Sequence, residues 1–196
     1  MGHSTGCQDS VHYVSSKDQH GKRERIDGII LQAPVSDREA IVHETSKEQY
    51  DQANKLAQEW IETGRGEDCL PRAVVLSALG STPVTARRWL SLASPEKRGE
   101  DDYFSSDLPD ERLQSTFGKV SVPLLILMGE KDEYVPPHVD RKAMVGRWVK
   151  VLKENNAPVD SKSEELLGGA SHNLNSSPED VVDELCKRVI RFLESL

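Results

Sequence analysis

The sequence lacks the features that mark membrane, secreted and nucleic-acid-binding proteins. No apolar run approaches the roughly 18 residues that a membrane-spanning helix needs, and the opening residues show no charged-then-apolar signal pattern. The chain carries 33 acidic against 25 basic side chains, a net charge of −8, and no cluster of Lys and Arg interleaved with aromatics. That balance argues against binding to a phosphate backbone. We therefore expect a protein of the cytosol that binds neither membranes nor nucleic acid.

Cysteine and apolar residues are also scarce. Three cysteines lie far apart and are odd in number, which indicates neither a disulfide framework nor a metal site: Cys7, Cys69 and Cys186. No His, Cys or carboxylate group has the spacing of metal ligands, so we expect no metal and no cofactor. Apolar residues make up 36% of the chain, and even with the 13 glycines the share stays slightly below the roughly 45–50% of ordinary domains. We expect a thin or incomplete core.

The chain opens on a motif for nucleophilic catalysis. Gly2-His3-Ser4-Thr5-Gly6 matches G-x-S-x-G, the nucleophile elbow, in which a serine sits on a tight turn between a strand and a helix. Such a turn is expected to leave no room for a side chain at either glycine. An apolar stripe at helical spacing follows it, formed by Cys7, Val11 and Val14. Only Met1 precedes the motif, so we expect the chain to begin inside a longer domain.

A carboxylate and a histidine follow the serine in the order that α/β-hydrolases use, on loops at the ends of later strands. The apolar run 122–128 is typical of a buried parallel strand, and Asp132 follows its end. His172 stands in the small-residue loop 168–174. The sequence therefore predicts a catalytic triad of Ser4, Asp132 and His172, with the N–H of Thr5 as one oxyanion donor.

Other residues offer alternatives to this assignment. Asp37, just after the strand expected over 26–32, is the second candidate for the acid, because some hydrolases take the acid from the preceding strand. Asp132 and His172, each taken alone, are also ordinary loop residues. His3 is expected to orient or pack at the elbow. Four other histidines are expected to be solvated or structural: His12, His20, His43 and His138. The charges around Asp132 are expected to be exposed in the loop: Glu130, Lys131 and Glu133.

The middle of the chain departs from strand–helix alternation. Residues 15–25 form a polar connection, and 37–118 show helical patterns but no convincing strand. Thr45 with Glu48 predicts a capping box, and Thr82-Pro83 predicts the start of another helix. We therefore predict a helical cap over 37–118, inserted into an α/β core of 1–36 and 119–196.

Aromatic and apolar residues complete this outline. Trp60 and Trp89 are expected to fill the core of the cap rather than to touch substrate. The polar segment 101–108 fits either a flap over a pocket or an ordinary loop. Two helices are predicted after Asp132, the last capped by Ser177 with Pro178 in its first turn. Their apolar faces hold Val139, Ala143, Trp148, Val151 and Leu152 in the first, and Val181, Leu185, Val189, Phe192 and Leu196 in the second.

Four segments resemble the fungal α/β-hydrolases related to siderophore esterases: Gly2-His3-Ser4-Thr5-Gly6-Cys7-Gln8-Asp9, residues 101–108, Thr116-Phe117-Gly118-Lys119-Val120 and Gly129-Glu130-Lys131-Asp132-Glu133. The resemblance covers essentially the whole chain. It implies a partial α/β-hydrolase fold, the C-terminal strands of a mostly parallel sheet with a helical cap. It also implies a serine hydrolase of small-molecule esters, with fusarinine-type hydroxamate siderophores as the substrate class and Ser4, Asp132 and His172 as the triad.

The sequence departs from this family before the elbow, where relatives have early strands and a loop that gives a second oxyanion donor. Loss of one such donor typically costs about 10²–10³ in rate. We also expect residues 26–31 to present an unpaired apolar edge open to self-association, and Ser4 to fray. The alternative hypothesis is therefore a catalytically inactive fragment, a truncated isoform or incomplete gene model that acts at most as an interaction module.

Overall fold

The computed structural model describes residues 1–16, 24–175 and 177–196. The chain forms two compact units, Met1–Val35 with Ser106–Leu196, and Ser36–Ser105. Most of the polar connection expected over 15–25, including His20, lies outside the described residues. The described part contains eight α-helices: α1 Thr5–Ser15, α2 Asp37–Glu44, α3 Lys47–Glu62, α4 Arg72–Leu79, α5 Ala86–Ala93, α6 Asp110–Thr116, α7 Arg141–Glu154 and α8 Glu179–Glu194.

A parallel sheet of three strands forms the centre of the first unit, in the order β1 Gly2–His3, β2 Ile29–Gln32 and β3 Leu124–Leu127. Leu31 pairs with Gly2 on one side and with Ile126 on the other. Every residue of β2 and β3 is buried, which is the continuous apolar pattern of a parallel strand covered on both faces. Two single parallel bridges extend the layer beyond β3, joining Leu124 to Val159 and Gly129 to Leu167.

β2 differs from the strand expected over 26–32. It begins only at Ile29, and it lies between β1 and β3. The prediction of an unpaired edge over 26–31 is therefore wrong at Leu31, which pairs with Gly2. Self-association through a sheet edge stays a prediction.

The helices of the first unit bury the apolar faces that the sequence indicates, with small shifts. In α1, Cys7 and Val11 are buried. In α7, Trp148 stacks on Phe117 with ring centroids 5.6 Å apart, and Met144 and Val145 are buried in place of the exposed Ala143. In α8, one face packs with β2 and β3 residues through Val181, Leu185 and Phe192.

The start of α8 corrects one predicted cap. Pro178 occupies the N-cap position, where no side-chain hydrogen bond caps the helix. The Ser177 hydroxyl instead accepts the N–H of Ser171 at 3.0 Å. The predicted Ser177 cap is therefore wrong, and that side chain ties down the loop before His172.

The second unit consists of α2 to α5 packed around an apolar core. Two predicted helix starts are wrong by one and by three residues. Ser46 and Gln49 form the capping box of α3, whereas Thr45 ends α2. Thr85, not Thr82-Pro83, caps α5 and accepts the N–H of Arg88. A hydroxyl at a nearby position is an equally good N-cap for a helix that starts there, so the presence of Ser or Thr alone does not fix the first residue of the helix.

The two tryptophans of the second unit differ in their surroundings. Trp89 is buried, and its indole N–H donates to Asn54 Oδ1 at 3.1 Å, which agrees with a role in the core of that unit. Trp60 is half-buried, and the Arg65 guanidinium lies over its ring, 3.9 Å from the centroid.

The boundary between the units after Ser105 lies earlier than the expected boundary at residue 119. The segment 106–118 packs with the first unit, where the Arg147 guanidinium donates to the carbonyls of Ser106 and Leu108 at 2.7 and 2.8 Å. That the second unit acts as a cap over a pocket stays a prediction. Among the described residues, no helix combines the length and apolar composition needed to cross a bilayer.

A buried ion pair holds the two ends of the second unit. Arg38 Nε donates to Asp102 Oδ2 at 2.7 Å, and the two side chains are only 8% and 2% exposed. Asp102 also accepts the Ser105 hydroxyl, which lies 2.5 Å from the hydroxyl of Ser36. Asp102 and Ser105 of the polar segment 101–108 are therefore buried. The buried carboxylate is tolerated because the guanidinium and the hydroxyl satisfy it.

Replacing Asp102 by Asn is expected to lower the free energy of unfolding by about 3–5 kcal/mol, because it removes the carboxylate that balances a buried guanidinium. The matched control is Asp51→Asn, which breaks an exposed ion pair with Lys47 on α3 and should change stability little. Urea unfolding followed by circular dichroism measures both. Equal effects of the two substitutions would contradict the role of the buried pair.

Candidate active site

Ser4 lies on a strained turn between β1 and α1. Its φ of 52° is in the left-handed region that side chains other than glycine seldom adopt. The Ser4 N–H donates to the Gln32 carbonyl at 3.1 Å, and the Ser4 carbonyl accepts the N–H of Cys7 at 2.8 Å. A residue held in such a conformation by its neighbours is typical of functional sites. The turn has the strand-to-helix geometry that the G-x-S-x-G motif indicates.

The two glycines of the motif meet different surroundings. A Cβ at Gly2 would lie 2.1 Å from the Gly6 carbonyl oxygen, so that position admits no side chain. A Cβ at Gly6 would meet no atom within 4 Å apart from its chain neighbours and the adjacent backbone of its own helix. The sequence-based expectation of crowding is therefore correct at Gly2 and wrong at Gly6, because the first glycine packs against the backbone of the helix that carries the second.

Asp132 and His172 form a buried hydrogen-bonded pair. His172 Nδ1 lies 2.9 and 3.1 Å from the two carboxylate oxygens of Asp132. Asp132 has 0% of its surface exposed and His172 has 5%. Asp132 Oδ1 also accepts the N–H of Tyr134 at 3.1 Å. The pair fixes which ring nitrogen of His172 carries a proton and leaves Nε2 for other chemistry.

Backbone contacts around the pair hold its two loops together. Arg141 donates to the carbonyls of Asp132 and Val135, both at 2.9 Å, which closes the turn after β3. The Lys131 N–H donates to the Ala170 carbonyl at 3.0 Å. A Cβ at Gly129 would lie 2.6 Å from that same carbonyl oxygen, so the two loops approach as closely as glycine allows.

Two acidic residues that the sequence indicated only as loop charges support the histidine loop. Glu133 accepts the backbone N–H of His172 at 2.9 Å, and Glu130 accepts that of Gly169 at 2.9 Å. The hydrogen bond from the His172 N–H holds the pKa of Glu133 below its usual value. No side-chain pattern in the sequence predicts these roles, because the partners are backbone N–H groups. The closeness of Glu130 and Glu133 to Asp132 in the sequence is the one signal that could have indicated them.

The His172 peptide also connects to the strands that carry the serine. Its carbonyl accepts Gln32 Nε2 at 3.0 Å and His3 Nε2 at 3.2 Å. The His172 ring contacts two other rings, that of His3 with centroids 4.9 Å apart and that of Tyr134 at 4.6 Å in an edge arrangement. His3 therefore contacts the histidine loop, in addition to lying next to the serine in sequence.

The other candidate residues, Asp37 and Thr5, lie at the starts of two helices. Asp37 is in the first turn of α2 in the second unit, whereas the His172 ring bonds to Asp132. Thr5 is the first residue of α1, so its N–H is at the electropositive end of that helix. Burial raises the pKa of the Cys7 thiol to about 12, which makes Cys7 a neutral donor rather than a competing nucleophile. The described residues contain no cluster of three or more metal-ligating side chains.

Comparison with known proteins places this geometry in a family. The family model DUF1749, described as a protein of unknown function, matches residues 1–194. The chain belongs to this family. It is 34% identical over 233 aligned residues to the fusarinine C esterase sidJ of Aspergillus fumigatus, with 100% of the chain and 66% of that protein covered. It is 37% identical to Esterase AN6793 of Emericella nidulans, with 98% and 64% covered.

Solved structures agree with the fold. The siderophore hydrolase EstB from Aspergillus fumigatus is 34% identical and superimposes with a TM-score of 0.82, covering 100% of the chain and 66% of that structure. A carboxyl esterase from Bacillus coagulans, 17% identical with a TM-score of 0.54, supports the fold alone. The DUF1749 chain thus has a partial α/β-hydrolase fold, as the resemblance implied. It spans about two thirds of the length of these fungal relatives.

We predict opposite effects of alanine at the two motif glycines. Gly2→Ala forces a Cβ against a backbone carbonyl and should cost about 1–3 kcal/mol of stability or more. Gly6→Ala adds a better helix former in open space within α1 and should raise stability by up to about 1 kcal/mol. Chemical denaturation monitored by circular dichroism tests this, and destabilisation by Gly6→Ala to the same extent would show that the second glycine is crowded after all.

Glu133 is expected to make stability depend on pH. Its folded-state pKa is lowered by the His172 amide, so between the folded value and the unfolded value of about 4.5 the unfolded chain binds more protons, and stability rises with pH. This contribution is complete above that unfolded value and is lost as the pH falls through the folded one. The gap in melting temperature between the natural protein and Glu133→Gln should therefore shrink in acid. The control Glu59→Gln, at an exposed position on α3, should show no such change.

Proposed function

We propose that this chain carries the acyl-transfer centre of a carboxylic ester hydrolase, with Ser4 as nucleophile, His172 as general base and Asp132 as the acid that orients it. The observation that carries the proposal is the buried hydrogen bond between His172 Nδ1 and the Asp132 carboxylate, at 2.9 Å. Ser4 and Asp132 follow the carboxyl ends of β1 and β3 in one parallel sheet, and His172 follows the bridge between Gly129 and Leu167. These are the relations that define the triad in hydrolases of this fold.

The reaction follows from the protonation of the imidazole. Because Nδ1 donates to Asp132, Nε2 is the atom that accepts the proton of Ser4 Oγ as the oxygen attacks the ester carbonyl. His172 then protonates the departing alkoxide, which leaves an acyl group on Ser4. Water, deprotonated at the same Nε2, attacks this acyl-enzyme. His172 returns that proton to Ser4 Oγ as the acyl–oxygen bond breaks and the acid leaves. Asp132 stabilises the imidazolium in both halves of the cycle.

The oxyanion of each tetrahedral intermediate needs hydrogen-bond donors. The N–H of Thr5, at the start of α1, is the donor that we propose from this chain. The second donor in hydrolases of this fold comes from a loop before the nucleophile strand. A chain limited to one donor would be slower by about 10²–10³.

The relatives support a substrate class. Two of them are named for ester hydrolysis, and the names of the sidJ and EstB proteins refer to fusarinine C and to siderophores. We propose that the substrate is a small ester of the hydroxamate siderophore type.

A fluorophosphonate probe tests the nucleophile directly. The natural protein should be labelled, Ser4→Ala should not, and Asp132→Asn should be labelled about 10⁴-fold more slowly, because it loses the correct imidazole tautomer. Ser115→Ala, which removes an exposed hydroxyl in α6, is the control and should be labelled normally.

The test also decides between catalysis and the inactive-fragment hypothesis. Protein that is folded by circular dichroism and still unlabelled would reject the proposal. If labelling occurs, release of the carboxylic acid and alcohol products from a fusarinine-type ester, measured against a simple aryl ester of similar reactivity, tests the substrate class. Equal kcat/KM for both esters would contradict siderophore specificity.

A further inference from the structure

We propose that Gln32 is a positioning residue that joins the histidine loop to the nucleophile turn. The inference rests on the proposed function, because it assigns a role to Gln32 through His172 and Ser4. Gln32 is the last residue of β2 and is 9% exposed. It contacts both parts of the site through different groups of the same residue.

The backbone of Gln32 holds the serine turn. Its carbonyl accepts the N–H of Ser4 at 3.1 Å and the thiol of Cys7 at 3.2 Å. The side chain of Gln32 reaches the histidine loop, where Nε2 donates to the His172 carbonyl at 3.0 Å. One residue of one strand therefore sets the separation between nucleophile and base.

The His172 peptide unit is held from both sides by this arrangement. Glu133 accepts its N–H at 2.9 Å, while Gln32 donates to its carbonyl. The carbonyl oxygen can only accept, so the group facing it must be a donor. His3 is a second donor at 3.2 Å, but it is exposed and its ring nitrogen donates only in one tautomer or when protonated. The Gln32 amide is a donor at every pH.

Gln32 is the one polar residue of β2. β2 is otherwise apolar and fully buried, with the sequence Ile29-Ile30-Leu31 before Gln32. A buried amide is costly unless it is hydrogen-bonded. The position thus has a polar side chain where packing alone would favour an apolar one, and its partner is the peptide of the proposed base.

Loss of this bond should affect the chemical step more than substrate binding. A misplacement of about 1 Å between reacting groups can cost about 10²-fold in rate. Gln32→Met keeps the length and approximate volume but removes the donor. Gln32→Glu keeps the shape and places an acceptor opposite the His172 carbonyl. We expect both substitutions to lower kcat by about 10–100-fold, with KM changed by less than about threefold and the His172–Asp132 pair retained.

Steady-state kinetics with an aryl ester is the first measurement, with Gln58→Met, an exposed glutamine of α3, as the matched control. A rise in KM with kcat unchanged, or an unchanged kcat in either Gln32 variant, would overturn the inference. If Ser4→Ala abolishes fluorophosphonate labelling while Gln32→Met labels at the natural rate, the proposed function stands and the role of Gln32 is wrong.

Amide hydrogen exchange tests the link independently of activity, including in a protein that fails to label. Gln32→Met should speed exchange in the 168–175 loop and in the turn after β1, and leave α3 unchanged. Unchanged protection in both segments would reject the role of Gln32, whatever the outcome for catalysis. Melting temperatures within a few degrees of the natural protein would confirm that each variant is folded.

Discussion

The hydrogen bond between His172 and Asp132 is the interaction on which the rest of the site depends. Both groups are withdrawn from water, so the pair must recover its lost hydration through fixed partners. The N–H of Tyr134 supplies one for the carboxylate, and Glu133 supplies one for the histidine backbone. The loop containing Asp132 and the loop containing His172 therefore have to approach closely, and Gly129 is the position where a side chain would prevent it.

The parallel sheet explains how residues far apart in sequence come together. Ser4, Gln32 and Asp132 lie at or just beyond the carboxyl ends of β1, β2 and β3, which meet at one edge of the layer. His172 follows the bridge between Gly129 and Leu167, which continues the same layer. The second unit enters the chain between β2 and β3, yet the register of these strands is continuous over four residue pairs. An insertion at a strand end can lengthen the chain without moving the groups at that edge.

The parts of this arrangement that follow from sequence are the ones encoded locally. The G-x-S-x-G spacing indicated the turn at Ser4, and an apolar run followed by Asp132 indicated a strand end. Helix starts were less certain, because Thr45 and Ser46 both offer a capping hydroxyl, and the choice depends on where the preceding helix ends. The roles of Glu130 and Gln32 were not accessible from sequence, since their partners are backbone groups brought near by the loops and not by any side-chain pattern.

The strained serine turn shows how the site is maintained by its immediate neighbours. A positive φ at a residue other than glycine costs about 1–3 kcal/mol and persists only where surrounding contacts outweigh it. At Ser4 those contacts come from β2 and α1: the Gln32 carbonyl accepts its N–H, and the N–H of Cys7 donates to its carbonyl. The Cys7 thiol, neutral because burial raises its pKa to about 12, has its one S–H within hydrogen-bonding distance of the carbonyls of both Gln32 and Gly2. These hydrogen bonds from β2 and α1 oppose the fraying that we expected at Ser4.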